Sequence, residues 1–247
     1  DALRANLNRK ASRVRVFEIG RVFAADAGRH ADAHHVAGIA QPQRAGLLAY
    51  GPQYDERWGT AARRTDFFDL KGDLEAIVAP ELRFEAAAHP ALHPGRSARV
   101  LCGGEVIGWI GELHPQLQHE LELPLAPIVA EIDLAPALVR RVPVHEDSSR
   151  FPPIVRDLAV VVDAELPAAR VLAEIDEARA AEPAAAVVRN VRLFDEYRGK
   201  GLENKEKSLA FRLWMQDTRR TLSEAEAAEA VEAIVGRLAR TIGARLR

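Results

Sequence analysis

The 247-residue sequence predicts an α+β protein of two domains, the second a β-α-β-β-α-β unit with one sheet face left open. Three observations predict it. Two alternating strands flank a basic, glycine-containing loop between residues 187 and 216; a β-branched run and a proline-opened helix precede them; a capped amphipathic helix follows.

The elements can be justified in chain order. The opening Ala2–Leu7 run has helical composition. Asp66 to Val78 places Phe67, Leu70, Leu74 and Ile77 at helical spacing, a core-facing stripe whose leading acids suit the helix dipole. Gly103-Gly104, between two β-rich runs, reads as a hairpin turn, and His114-Pro115 as a helix start. Pro136, Pro143 and Pro152-Pro153, with the polar stretch between them, separate residues 1–147 from 148–247.

In the second part, Arg156 to Asp163 is a strand and Pro167 to Ala180 a helix. Val187 to Asp195 and Lys207 to Gln216 form a hairpin. Ser223 with Glu226 has the capping-box spacing, and Ala227, Ala230, Val231, Ile234, Val235 and Leu238 keep one stripe of the helix they open. Gly243 ends that helix, and Ala244 to Arg247 supply a short last strand. This order is the ferredoxin-like split unit, in which both helices cover one sheet face.

The alternation divides the hairpin into faces. Leu209, Phe211, Leu213 and Met215 point to the core, and Ser208, Ala210, Arg212 and Trp214 away from it. The preceding strand places Val187, Val191 and Leu193 against Val188, Asn190, Arg192 and Phe194, and contributes Asn190, Arg192 and Phe194 to the polar-aromatic outer face. Aromatic and guanidinium planes on an open sheet are what unpaired RNA bases stack on; a solvated face with one amphipathic Trp is the competing interpretation. Arg156 and Asp157 read as an ion pair fixing the first strand, and Arg198, Lys200 and Lys205 in the loop as phosphate contacts.

Four blocks in order, Phe151-Pro-Pro-Ile-Val-Arg-Asp-Leu-Ala-Val-Val-Val, Leu193-Phe-Asp-Glu-Tyr-Arg-Gly, Lys207-Ser-Leu-Ala-Phe-Arg-Leu and Asp217-Thr-Arg-Arg-Thr-Leu, resemble the ferredoxin-fold anticodon-binding domain. That domain closes the β subunit of bacterial phenylalanyl-tRNA synthetase. Arg15-Val-Phe-Glu-Ile-Gly-Arg-Val-Phe, Asp66-Phe-Phe-Asp-Leu-Lys-Gly, His93-Pro-Gly-Arg-Ser-Ala and Gly108-Trp-Ile-Gly-Glu-Leu-His-Pro are similar to the latter half of the same subunit's catalytic-like domain. The resemblance implies a partial antiparallel class II synthetase-like domain without aminoacylation activity of its own, over residues 1–147. It implies that Asp195, Tyr197 and Ser208 lie near anticodon bases, to which face analysis adds Arg212 and Trp214. It also implies a cytoplasmic (αβ)2 heterotetramer with an α subunit, which attaches phenylalanine to tRNA-Phe using ATP and magnesium; no cofactor is expected in this segment. Met215 is the only methionine, which together with the resemblance suggests a portion of a longer chain.

Charge and cysteine bound the alternatives. A net charge of −2 gives no general affinity for polyanions, although Arg189 to Arg220 holds nine Lys and Arg against five Asp and Glu. A solvated charged hairpin accounts equally well for that excess. Cys102 alone excludes an internal disulfide and a thiolate cluster, and fits a reducing compartment. No apolar run reaches membrane-spanning length. His34-His35, His89, His93 and His114 with Asp66, Asp69 and Asp73 have the residue types of a metal or acid-base cluster, but their spacing suits turns and helix starts better. Two other functions remain for the second domain: a regulatory module binding an amino acid, and a purely structural role.

Overall fold

The computed structural model describes residues 1–28, 30–32, 36–78, 81–139, 142 and 148–247. Two compact units divide the chain, residues 1–143 and 144–247; the boundary expected at residue 147 lies outside the described residues, as do His34 and His35.

The first unit opens with helix α1 (Ala2–Asn8) and strands β1 (Val14–Arg21), β2 (Ala24–Ala25), β3 (Ile39–Ala40) and β4 (Gln43–Tyr50). Helix α2 (Phe67–Ile77), strands β5 (Leu82–Ala86), β6 (Leu92–Cys102) and β7 (Glu105–Leu113), α3 (Pro115–Glu120), β8 (Ile128–Asp133) and α4 (Leu134–Ala137) follow. Six strands make one antiparallel sheet in the order β1-β4-β8-β7-β6-β5. Its core joins Val100, Ile110 and Ile132 of the sheet to Leu70 and Leu74 of α2. The start of α2 is fixed by a reciprocal cap between Asp66 and Asp69, and the Arg63 guanidinium donates to both oxygens of Asp69.

The expected stripe on α2 is correct for Leu70 and Leu74, with Phe67 partly buried, but Ile77 is 62% exposed. Val78 leaves the helix in an extended conformation and turns inward instead. Gly103 and Gly104 form the tight turn between β6 and β7, both at positive φ, where a Cβ would be strained. His93 to Gly95, expected in a turn, lies within β6 where its pairing with β7 is irregular.

The second unit runs β9 (Ile154–Asp163), α5 (Ala168–Ala181), a 3-10 turn at Pro183–Val187, β10 (Val188–Tyr197), β11 (Glu206–Met215), α6 (Glu224–Ile242) and β12 (Arg245–Leu246). Its antiparallel sheet has the order β10-β11-β9-β12. The helices bury Val171, Ile175 and Ala178 of α5 and Ala227, Ala230, Ile234 and Leu238 of α6 against the sheet. The sheet answers with Leu158, Val160 and Val162 on β9 and Leu209, Phe211, Leu213 and Met215 on β11. Both helices therefore lie on the face these residues share, and alternate side chains are carried to the other.

Helix boundaries follow from local chemistry. Ser223 accepts from the Glu226 backbone N–H while the Glu226 carboxylate accepts from the Ser223 N–H, and Gly243 closes the helix in the left-handed conformation. Between the helices, Glu174 is 4% exposed and accepts from Arg170 of its own helix and Arg237 of α6. A buried carboxylate is tolerated only when so paired.

Candidate nucleic-acid interface

Cross-strand partners in an antiparallel sheet point the same way, so the pairing register assigns the helix-free face row by row. Val155, Trp214 and Asn190 form one row; Asp157, Arg212 and Arg192 the next. Ala159, Ala210 and Asp195 follow, and then Val161, Ser208 and Tyr197.

Strict alternation from Asn190 and Arg192 would send Asp195 and Tyr197 to the helix face. They reach the other face because the register slips by one between Leu193 and Asp195. Leu193 pairs with Phe211 and Asp195 with Ala210, leaving Phe194 as the additional residue of a β-bulge. The bulge keeps Phe194 on the helix-free side as well, with the Arg212 guanidinium 5.1 Å from its ring centroid. Sequence alternation misses this device, since an extra residue in a strand carries no periodic signal.

Arg212 is held from both sides. Its Nε and Nη2 each donate to the Asp157 carboxylate at 2.7 Å while the plane lies over Phe194. The hydrogen bonds from Arg212 hold the Asp157 carboxyl below its ordinary range and raise the Arg212 pKa in turn. The expected Arg156–Asp157 pair does not form. Neighbours on a strand face opposite ways: Arg156, across from Leu213 on the helix side, pairs with Glu224 at the start of α6, and Asp157 with Arg212.

Tyr197 is oriented by its loop. Its hydroxyl donates to the Lys200 carbonyl at 3.3 Å, and a Cβ on Gly199 would come within 2.9 Å of that hydroxyl oxygen. Glycine at 199 thus leaves room for the phenol. Arg198 donates to Glu196 at 2.7 Å and to the Ala164 carbonyl, so it is tied to its own hairpin end; Lys200 and Lys205 are exposed in the same loop. Trp214 is half-buried and Asp195 exposed. Ser208 corrects the expectation of an open hydroxyl: it points to the helix-free face but is 2% exposed. Asp157 was singled out from the sequence only as the partner of Arg156, and Arg245 and Arg247 were not singled out at all. Arg245 donates to Glu206 at 2.6 Å, and the Arg247 guanidinium sits 4.5 Å from the Tyr197 ring centroid.

The first unit spends its histidines differently. His89, His93 and His114 each accept through Nδ1 from the backbone N–H two residues on, at 3.1–3.2 Å, which closes turns and caps α3. Arg96 donates to both oxygens of Glu112. The histidine bonds hold local backbone, and the Arg96–Glu112 pair joins β6 to β7.

Comparison with known proteins gives the geometry its context. Residues 1–134 match the family model described as the phenylalanyl tRNA synthetase beta chain CLM domain, and residues 149–247 the ferredoxin-fold anticodon binding domain. The chain belongs to the phenylalanyl-tRNA synthetase beta-chain family. Similar relatives named phenylalanine-tRNA ligase beta subunit come from Burkholderia pseudomallei strain 1710b, 51% identical over 99% of this chain and 31% of the relative. Those from Ralstonia nicotianae, 45% over 100% and 31%, and Dechloromonas aromatica, 46% over 98% and 30%, carry the same name. The chain therefore spans about a third of the length of these ligase subunits. Among the described residues no helix is long and apolar enough to cross a membrane.

Proposed function

We propose that residues 148–247 bind the anticodon stem-loop of tRNA-Phe on the helix-free face of the four-stranded sheet. The observation that carries this reading is the bulge at Phe194, which brings Asp195 and Tyr197 onto the same face as Arg212 and Trp214. Anticodon bases are unpaired, so their faces are open to stacking and their edges to hydrogen bonds. Tyr197 stacks on a base. The Asp195 carboxylate accepts from a guanine N1–H and N2–H, and the Ser208 hydroxyl donates or accepts once the residues above it part. Trp214 and the flat Arg212 plane extend the platform, while Arg198, Lys200 and Lys205 meet phosphates.

In this reading residues 1–147 form a non-catalytic, class II synthetase-like module, consistent with the six-stranded antiparallel sheet. Their role is contact with an α subunit in an (αβ)2 assembly in the cytoplasm. ATP and magnesium serve that assembly and are assigned to no residue of this segment. Phenylalanine transfer to tRNA is the activity of the whole enzyme.

Binding of a fluorescent tRNA-Phe anticodon stem-loop by the full chain, with a phenylalanine titration alongside, tests the assignment. Saturable stem-loop binding without a phenylalanine-dependent rise in thermal stability is expected. Stabilisation by phenylalanine with no stem-loop binding would replace it with the regulatory reading.

A further inference from the structure

Ser208 and Val161 lie on the sheet face away from both helices, yet each is only 2% exposed. The far end of the chain crosses this part of the face. Arg245 pairs across from Val161, and the Arg247 backbone N–H donates to the Ala159 carbonyl at 3.1 Å. From there the Arg247 guanidinium reaches over the sheet to the Tyr197 ring on the opposite edge strand, 4.5 Å from its centroid. The central strands below contribute Ala159, Ala210 and Ser208 to this part of the face, side chains too short to fill the space themselves.

Resting on the anticodon reading above, we propose that Arg247 is an RNA-contacting residue that occupies the stacking position on Tyr197 until a base takes its place. A guanidinium is planar, weakly hydrated and stacks on aromatic rings, so it covers the site without sealing it. An exposed cation–π contact is worth about two- to fivefold in an equilibrium. A base stacked on an aromatic ring is worth about five- to 150-fold, which is enough to displace it. The displaced guanidinium then lies beside the incoming strand and pairs with a phosphate, uncovering Ser208 for the base edge. The same residue guards the apolar ring in the free protein and adds a charge contact in the complex.

Stem-loop affinity measured across a salt series for the full chain and its Arg247→Ala, Arg247→Lys and Tyr197→Ala variants tests this. Arg247→Ala is expected to lower the slope of log affinity against log salt by about 0.7, the value for one lost single-strand phosphate contact. At high salt the same variant should bind about two- to fivefold more tightly than the parent, because the competitor for Tyr197 is gone. Arg247→Lys should keep the slope and share the high-salt gain. An unchanged slope in Arg247→Ala, or weaker binding at high salt, overturns the proposal while Tyr197-dependent binding persists. If the parent binds without any dependence on Tyr197, the anticodon reading falls and this inference with it.

Discussion

Deleting Phe194 tests the device that assembles the candidate interface. If Phe194 is the extra residue of a bulge, its removal leaves Leu193 across from Phe211 and Asp195 across from Ala210, and no other side chain changes face. The cost is bounded by the ring itself. Phe194 is 49% exposed, so at most about 100 Å² returns to water, about 2.5 kcal/mol at roughly 25 cal/mol per Å². Deleting Arg212 from β11 is the contrasting perturbation, because that strand pairs with β9 without a break from Glu206 to Met215. There a one-residue slip turns Leu209 and Phe211, both fully buried, out of the core. Their exposure costs about 1.5–3 kcal/mol each, roughly 3–6 together, before the burial of the Ser208 hydroxyl is added. Urea denaturation of the full chain in a Trp58→Phe, Trp109→Phe background, where Trp214 reports on the second unit, measures both. Equal destabilisation by the two deletions would show that β10 holds no slack at Phe194.

The other predictions address single groups. Tyr197→Ala should weaken stem-loop binding by about 1–3 kcal/mol and Trp214→Ala by a similar amount, with unchanged far-ultraviolet circular dichroism; unfolding in the Trp214 variant would contradict its placement on the helix-free face. Ser223→Ala should cost about 1 kcal/mol of stability in denaturant titration through loss of the α6 cap, and no change would contradict the capping role. Glu226 sits well below the ordinary carboxylate range because Arg220 and then the Ser223 backbone N–H hydrogen-bond its charged form. Its folded pKa lies below its unfolded one, so its contribution is complete above the unfolded pKa of about 4.3 and is lost as pH falls through the folded value. Urea midpoints from pH 7 to pH 2.5 should therefore show Glu226→Gln least stable relative to the parent at neutral pH, with the gap closing on acidification below about pH 4. A gap independent of pH would contradict this.

The fold was legible where one local rule decides the outcome. Ser223, Glu226 and Gly243 bound α6 within a residue because caps depend on a few adjacent groups. The inward side chains of β11 follow from period-two alternation over an uninterrupted strand. Alternation failed at Arg189 and again at Phe194, where the strand spends one residue without advancing the register, and the first slip puts Val188, expected on the outer face with Asn190, in the core instead. Resemblance supplied Asp195 and Tyr197, and only the bulge explains how they share a face with Arg212. The pairing of Arg156 was misjudged because adjacency in sequence is opposition in a strand. Its partner Glu224 is 68 residues away, a relation only the packed fold creates. For the same reason the contact of Arg247 with Tyr197, the cross-strand partner of Ser208, could not be anticipated, since Arg247 reaches it from another edge of the sheet.

The central claim is that this face reads bases and does not merely attract phosphates. Its most direct test is the affinity ratio of the full chain for the tRNA-Phe anticodon stem-loop and a scrambled-anticodon control, followed across a salt series. Base readout predicts a preference for the cognate loop that persists as salt weakens both complexes, and that disappears in Tyr197→Ala. Equal binding of the two loops, declining together with salt, would leave only the charge of the hairpin and contradict the account.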